Sequence, residues 1–427
     1  MSEDESGAAS GPVPPPPGAP PGLSGDSHGS VEPPRGRPRL GRNIIALGAV
    51  SFLTDTSSEM IYPLLPLFLT GVLGASATAL GAIEGAAEST SALLKLASGW
   101  WSDRVERRKP LVVGGYLLAS IARPLIAVAQ SVPQVLVIRL TDRVGKGIRT
   151  SPRDALIADS VNQRMRGRAY GFHRAADHAG AVVGPMIAFV LLGTLGVPLR
   201  TLFFLAAIPA ALSVIVLVAG VRERPRAPTR SETSSVDLSV PMGRRFWAYL
   251  AVIFVFTLGN ATDAFLLLRA SQLGVSPALV PILWAMLHVV KSMTSTPSGA
   301  LSDRLGRRPL IIAGWLLYSG VYLGFALAGA QWHAWALFAV YGVFFGLTEG
   351  AEKAMVADLV PVGRRGTAFG WYNLAIGLGA FPASLIFGVL WDRYGSAVAF
   401  QYGAMLAVAA AIALLTSVRR PASTGGD

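Results

Sequence analysis

The chain has 427 residues, 52% of them hydrophobic and 15% charged, with no cysteine and a formal net charge of +12. Soluble domains carry about 25% charged residues, so the composition excludes an ordinary water-soluble enzyme. The absence of cysteine excludes disulfides and thiolate metal sites. The excess arginine falls in short loops between apolar runs, which reads as membrane topology and not as a nucleic-acid surface.

Residues 1–42 are rich in Pro, Gly and Ser and nearly free of large apolar side chains. Such a segment cannot bury a core, so a disordered cytoplasmic tail is expected. No apolar stretch follows a basic start, which argues against a signal peptide. The predicted spans are then 43–72, 77–101, 110–130, 133–156, 167–192 and 199–221, followed by 245–272, 277–301, 309–329, 333–357, 366–391 and 395–418. Runs of roughly 20 residues cross about 30 Å of hydrocarbon. Backbone groups in lipid must be satisfied within their own segment, so all are expected to be helices. The expected fold class is an all-α membrane protein with twelve transmembrane helices. Its first six-helix half covers 43–221, a cytoplasmic linker 222–244, the second six-helix half 245–418, and a cytoplasmic tail 419–427. Basic loop residues crowd one side, with Arg104, Arg107, Arg108 and Lys109 after span 2 and Arg304, Arg307 and Arg308 after span 8. The other side has little beyond Arg200, Arg269 and Arg393. The positive-inside rule then places both termini in the cytoplasm of a multi-pass cell-membrane protein.

Ionisable residues inside spans are costly and mark functional sites. Span 1 contains Asp55 and Glu59, four apart and therefore on one face. Span 2 contains Glu84 and Glu88, with Lys95 two turns on. Span 4 carries a basic stripe of Arg139, Arg143, Lys146 and Arg153. Span 5 adds His173, Arg174, Asp177 and His178. Later spans are poorer, with Asp263 in span 7, His288 and Lys291 in span 8, and Glu349, Glu352 and Lys353 late in span 10. Unpaired charges at this depth are not tolerated, so some neutralise each other. Helix-end residues such as Arg153, Arg168, Glu352 and Lys353 read as snorkelling or structural. The cavity candidates are Asp55, Glu59, Glu84, Glu88, Arg143, Lys146, His173, Arg174, Asp177, Asp263, His288 and Lys291. Carboxylates in a low-dielectric cavity hold protons more readily, which suits alternate loading and release. His173 and His178 lie five apart, a poor fit to one helical face, so no metal site is expected. No phosphate-binding G-x-x-x-x-G-K-S/T loop occurs, and no cofactor is expected.

The sequence also repeats itself. GWWSDRVERRKP at 99–110 matches GALSDRLGRRP at 299–309 with an offset of 200, and RDALIADSVNQRMRGRAYGF at 153–172 matches EKAMVADLVPVGRRGTAFGW at 352–371 with an offset of 199. The halves therefore read as parallel repeats with a transport site between them.

These loops resemble the signature G-x-x-x-D-R-x-G-R-R/K of the major facilitator superfamily. The first copy has Gly99, Asp103, Arg104, Arg107 and Arg108, with Glu106 in place of the usual Gly. The second is complete, with Gly299, Asp303, Arg304, Gly306, Arg307 and Arg308. The resemblance covers about residues 43–418 and implies a secondary transporter working by alternating access, not an enzyme. Both loops are expected to act as cytoplasmic clasps, because a helix-end carboxylate can accept charge-assisted bonds from Arg. Gly180, Gly184 and Pro185 resemble the G-x-x-x-G-P element of antiporter members, and small residues at that spacing let helices approach closely. The expected function is proton-coupled efflux of a small polar or charged solute by a monomer in a lipid bilayer, without nucleic acid. Proton symport of an anionic nutrient and a non-transporting membrane receptor or assembly factor stay open as alternatives. The mid-membrane charges are unequal between the repeats, which assigns ion coupling to the first half.

Overall fold

The computed structural model describes residues 41–102, 104–161, 165–223, 242–361 and 364–417, and among these it is helical with no strand. The first half comprises α1 (Arg42–Val72), α2 (Ala77–Ser102), α3 (Lys109–Val128), α4 (Val132–Asp159), α5 (Arg166–Phe189, continued by a π-turn Val190–Thr194) and α6 (Leu199–Gly220). The second comprises α7 (Gly243–Gln272), α8 (Val280–Leu305), α9 (Arg307–Leu327), α10 (Gln331–Asp358), α11 (Arg365–Tyr394) and α12 (Ser396–Ser417). Nine helices among the described residues are long and apolar enough to cross a membrane. The other three, α2, α4 and α8, are equally long but diluted by ionisable and small polar residues. The first 40 residues, most of the linker and the last ten lie outside the described residues.

One predicted helix is interrupted. The run 245–272 reads as a continuous span, but α7 is helical only over Gly243–Gly259 and again over Ala264–Gln272. Residues 260–262 are unwound between these segments. Backbone polar groups at membrane depth are tolerated only inside protein or beside a cavity, and both Asn260 and Thr262 line one.

The repeat is visible in three dimensions, with a correction to its register. Arg108 pairs with Asp159 at 2.6 Å, and Arg307 pairs with Asp358 at 3.4 Å. Lys109 Nζ donates to the Val218 and Val221 carbonyls of the sixth-helix end, as Arg308 does to Leu414 and Leu415 of the twelfth. Arg307 is thus the counterpart of Arg108, at offset 199, and not of Arg107. The slip lies inside the loop. The second copy turns on Gly306 alone, at φ 93°, between helices ending at Leu305 and starting at Arg307. A side-chain-bearing residue rarely adopts that conformation. With Glu106 in place of glycine, the first copy has no such one-residue turn: α2 ends at Ser102 and α3 starts at Lys109, and the counterpart of Arg307 comes one residue later, at Arg108.

Helices α1 and α5 approach closely over their small residues. A side-chain carbon at Gly180 would lie 2.5 Å from the Phe52 carbonyl oxygen, and one at Gly184 equally close to that of Thr56. The side where α1 begins is called proximal and the opposite side distal. The halves meet distally and at mid-depth. Asp392 accepts from the backbone N–H groups of Ala77 and Thr78 at 3.0 and 2.7 Å, capping α2 from the other half. Deeper in, Ser89 Oγ donates to the Gly377 carbonyl at 2.5 Å.

The second half has an aromatic core, with Phe256 stacked on Trp315 at 4.7 Å and Tyr318 on Tyr322 at 4.1 Å. The first half is different. Its apolar residues fall into two clusters, one continuous with the second half and one around Leu47, Val112, Tyr116 and Leu217.

Candidate functional site

A cavity of about 1020 Å³ lies between the halves, at the upper end of the size usual for small-molecule sites. It runs from Tyr62 and Thr262 toward Asp154 and Arg174. The last two side chains are 44% and 59% exposed and lie toward the proximal ends of α4 and α5, so the cavity opens proximally. Of the twelve candidates, eleven line it, all but Lys291. Lys291 lines an adjoining cavity of about 430 Å³ that shares Glu88 and Lys95 with the first, and it pairs with Glu349 at 3.1 Å.

The first-half charges sort into paired and loosely held groups. Arg139 clasps Glu84 with two bonds, Nε to Oε1 at 2.8 Å and Nη2 to Oε2 at 2.6 Å, with both residues 5% exposed. A bidentate pair of this kind is structural first. Arg123 Nε donates to Asp142 at 2.8 Å, while Arg143 and Arg139 approach the same carboxylate at 3.2 and 3.6 Å. Asp177 accepts from Ser51 and faces His173 Nδ1 at 3.6 Å and Arg174 at 3.8 Å. The basic stripe of α4 is therefore largely neutralised from within the half. Asp55, Glu88 and Lys146 are different. They form no direct ion pair among the described residues, and Lys146 sits in the combined field of Arg143, Glu88, Lys95 and Asp55. A solute or a proton meets these groups without first breaking a tight pair.

Glu59 joins the halves by accepting from Trp284 Nε1 at 2.8 Å. Tyr62 adds a contact to Thr262 at 3.4 Å and a tilted ring contact to Trp284 at 5.2 Å. In the second half, Asp263 accepts from Tyr341 at 2.6 Å, and Glu352 from Trp315 Nε1 and Tyr372, each at 2.9 Å. His288 lies edge-on to Trp284 at 5.0 Å, with neither ring nitrogen hydrogen-bonded among the described residues.

Several lining residues escape the sequence argument. Arg153 and Glu352 read as helix-end structure, yet both line the cavity. Glu352 is enclosed by aromatic donors and does not snorkel. Arg123, Arg149, Tyr62, Trp284, Asn260 and Thr262 were not among the candidates. Asp142, just behind the wall, is the acid that balances the α4 stripe, and its spacing of three from Arg139 was the available signal.

The described residues of the loop motifs are not part of this cavity. Asp103 lies outside the described residues. Arg104 stacks on Trp100 at 3.6 Å, Arg107 is exposed, and Arg307 also binds Asp303. In this conformation Arg104, Arg108, Arg307 and Arg308 each contact their own half. A side-chain carbon at Gly99 would only touch Ser151 at 3.5 Å, and one at Gly299 would meet open space. Among the described residues, no cluster of three or more His, Asp or Glu could hold a metal ion.

The chain matches the family model described as Major Facilitator Superfamily over residues 47–381 and 251–426. It is 35% identical to an uncharacterised MFS-type transporter of Methanocaldococcus jannaschii, covering 88% of this chain and 95% of that protein. A multi-drug resistance efflux pump, PmrA of Streptococcus pneumoniae, is 25% identical over 83% of this chain and 88% of its own length. Among solved structures, a bacterial homologue of the human lysosomal transporter Spinster, inward-facing and unoccupied, aligns with a TM-score of 0.71. It is 17% identical, over 90% of this chain and 96% of that one.

Proposed function

The chain belongs to the major facilitator superfamily, and we propose that it is a proton-driven exporter of a small polar or charged solute. The observation that carries this reading is the group of loosely held charges in the cavity, Asp55, Glu88 and Lys146, beside the inter-half acceptor Glu59. Carboxylates at this depth can take a proton in exchange for a solute. The similarity to an efflux pump supports the outward direction. The arginine asymmetry of the loops supports a cytoplasmic proximal side, so the conformation described receives solute from the cytoplasm. In the opposite state the loops around Arg104 and Arg304 act as clasps between the halves. The working unit is a monomer in the cell membrane.

The test is flux in proteoliposomes under an imposed pH gradient, using a solute first found by thermal-shift screening, since a ligand of the folded state raises apparent stability. Exchange moves solute and proton in opposite directions. Co-directional movement would refute export and establish symport. Asp55→Asn and Glu59→Gln are expected to abolish gradient-driven flux. A protein that binds no solute and tolerates both substitutions is no transporter.

A further inference from the structure

The cavity is electrically divided. Among the described residues, its first-half wall contributes eight Lys or Arg side chains and six Asp or Glu, whereas its second-half wall contributes two carboxylates and no Lys or Arg. The division alone does not name a ligand, but each wall also presents groups left without partners.

On the first-half wall, Arg143 and Arg149 are 8% and 4% exposed. Arg143 Nε, and both Nε and Nη1 of Arg149, have no hydrogen-bond partner among the described residues. The Arg149 guanidinium lies over the Tyr116 ring at 4.2 Å, which holds its plane but does not use those N–H groups. Unmade bonds on a buried cation cost more than on a neutral group. These three nitrogens have almost no accessible surface, so a carboxylate or phosphate would reach the other Nη groups of the two guanidiniums, which line the cavity.

On the second-half wall the break in α7 supplies the opposite sign. The segment Gly243–Gly259 ends there, so its negative dipole end is directed at the break. The carbonyls of Asn260 and Ala261 accept no hydrogen bond from the described residues. Asp263 has a single hydrogen-bond partner, the neutral Tyr341, and no ion-pair partner among the described residues. Phe256 and Trp284 line the same region. Free carbonyls, a carboxylate and aromatic faces together recognise a cation.

We propose that the transported solute is a zwitterion, its anionic group bound by Arg143 and Arg149 and its ammonium group by Asp263 and the unwound carbonyls of α7. This rests on the reading of the cavity as a transport site. A purely anionic solute would leave Asp263 uncompensated, and a purely cationic one would leave Arg149 without a counter-ion and Arg143 with only the carboxylate it shares with Arg123 and Arg139. Charge complementarity of this kind sets specificity.

The experiment uses the purified full chain and matched triplets in which one charge at a time is removed. One triplet is phenylalanine, N-acetylphenylalanine and phenylalanine methyl ester; a second is built the same way on alanyl-phenylalanine. Binding is read by thermal shift, in potassium chloride and again with sodium chloride added. The zwitterion of at least one triplet should bind about tenfold more tightly than either blocked form. Asp263→Asn should remove its advantage over the N-acetyl form, and Arg149→Met its advantage over the ester. The comparison in the unmutated protein needs neither variant to fold. The proposal is overturned if a blocked form binds as well as its zwitterion, if no zwitterion binds, or if sodium alone gives the Asp263-dependent shift. A blocked form that binds and is carried across proteoliposomes would refute the zwitterion and leave the transporter intact. A ligand that binds but is never moved would refute transport itself.

Discussion

Asp142→Asn should destabilise the protein far more than the loss of one charge on the surface. The carboxylate faces Arg123 at 2.8 Å, Arg143 at 3.2 Å and Arg139 at 3.6 Å, and the Asp142 and Arg123 side chains are 2% and 5% exposed. Removing one partner of a buried pair costs about 3–5 kcal/mol, because the other charge is left uncompensated. Arg139 keeps Glu84, so the loss falls on Arg123 and Arg143. Arg123 retains a bond to the Thr54 carbonyl at 3.1 Å, which places the expected cost near the lower bound, about 3 kcal/mol. Replacing both partners, as Arg123→Met with Asp142→Asn, should recover the part of that loss that falls on Arg123, since its uncompensated charge is then removed as well. The assay is a double-mutant cycle of reversible unfolding in mixed micelles. A coupling energy of about 2–3 kcal/mol is expected. A value near zero, with additive losses, would refute the claim that this pair holds α3 against α4.

Three further outcomes follow from the packing. Gly184→Val puts a side chain 2.5 Å from the Thr56 carbonyl oxygen and should cost about 1–3 kcal/mol, whereas Gly299→Ala faces open space and should change stability by less than about 0.5 kcal/mol in the same unfolding assay. The chain has no native cysteine, and a side-chain carbon at Gly193 would lie 3.3 Å from Ala278 Cβ. Gly193→Cys with Ala278→Cys is therefore within disulfide reach and should oxidise readily and stop flux until reduced; failure to cross-link on a gel would refute the distal closure described above. Trp284→Phe keeps a ring but removes the donor to Glu59, so in the two-cysteine background it should slow cross-linking severalfold; an unchanged rate would show that the Glu59 bond does not help hold the halves together.

The helices were legible because apolar runs bounded by basic loops leave the backbone little alternative, and the expected limits fall within four residues of those observed. The repeat was legible for the same reason that it exists, since each half needs the same turn between its second and third helices. The break in α7 was not, because an apolar run hides a local interruption. Gly259 followed by Asn260 was the stop signal that could have found it. The candidate cavity was read well from charge and poorly from neutral residues: Trp284 and Tyr62 look like ordinary core aromatics until the other half supplies Glu59 and Thr262. Charge balance was the weaker part. The spacing of Arg139, Arg143 and Lys146 suggested an open basic face, and only the fold brings Glu84 to it and sets Arg123 to share its acid Asp142.

The pairing partners also fix an order of assembly. Helix α4 is too charged to enter lipid by itself, and arginine at the centre of a lone helix opposes insertion by about 2.5–3.5 kcal/mol. Its partners Glu84 and Arg123 sit on α2 and α3, earlier in the chain, so they are already synthesised when α4 emerges from the ribosome. Helix α8 has the reverse arrangement. Its Lys291 pairs with Glu349 of α10, which is made later, so α8 must either linger at the insertion site or enter with its lysine unpaired. Biogenesis of this protein should therefore stall, and invite quality control, in its second half and not in the more heavily charged first.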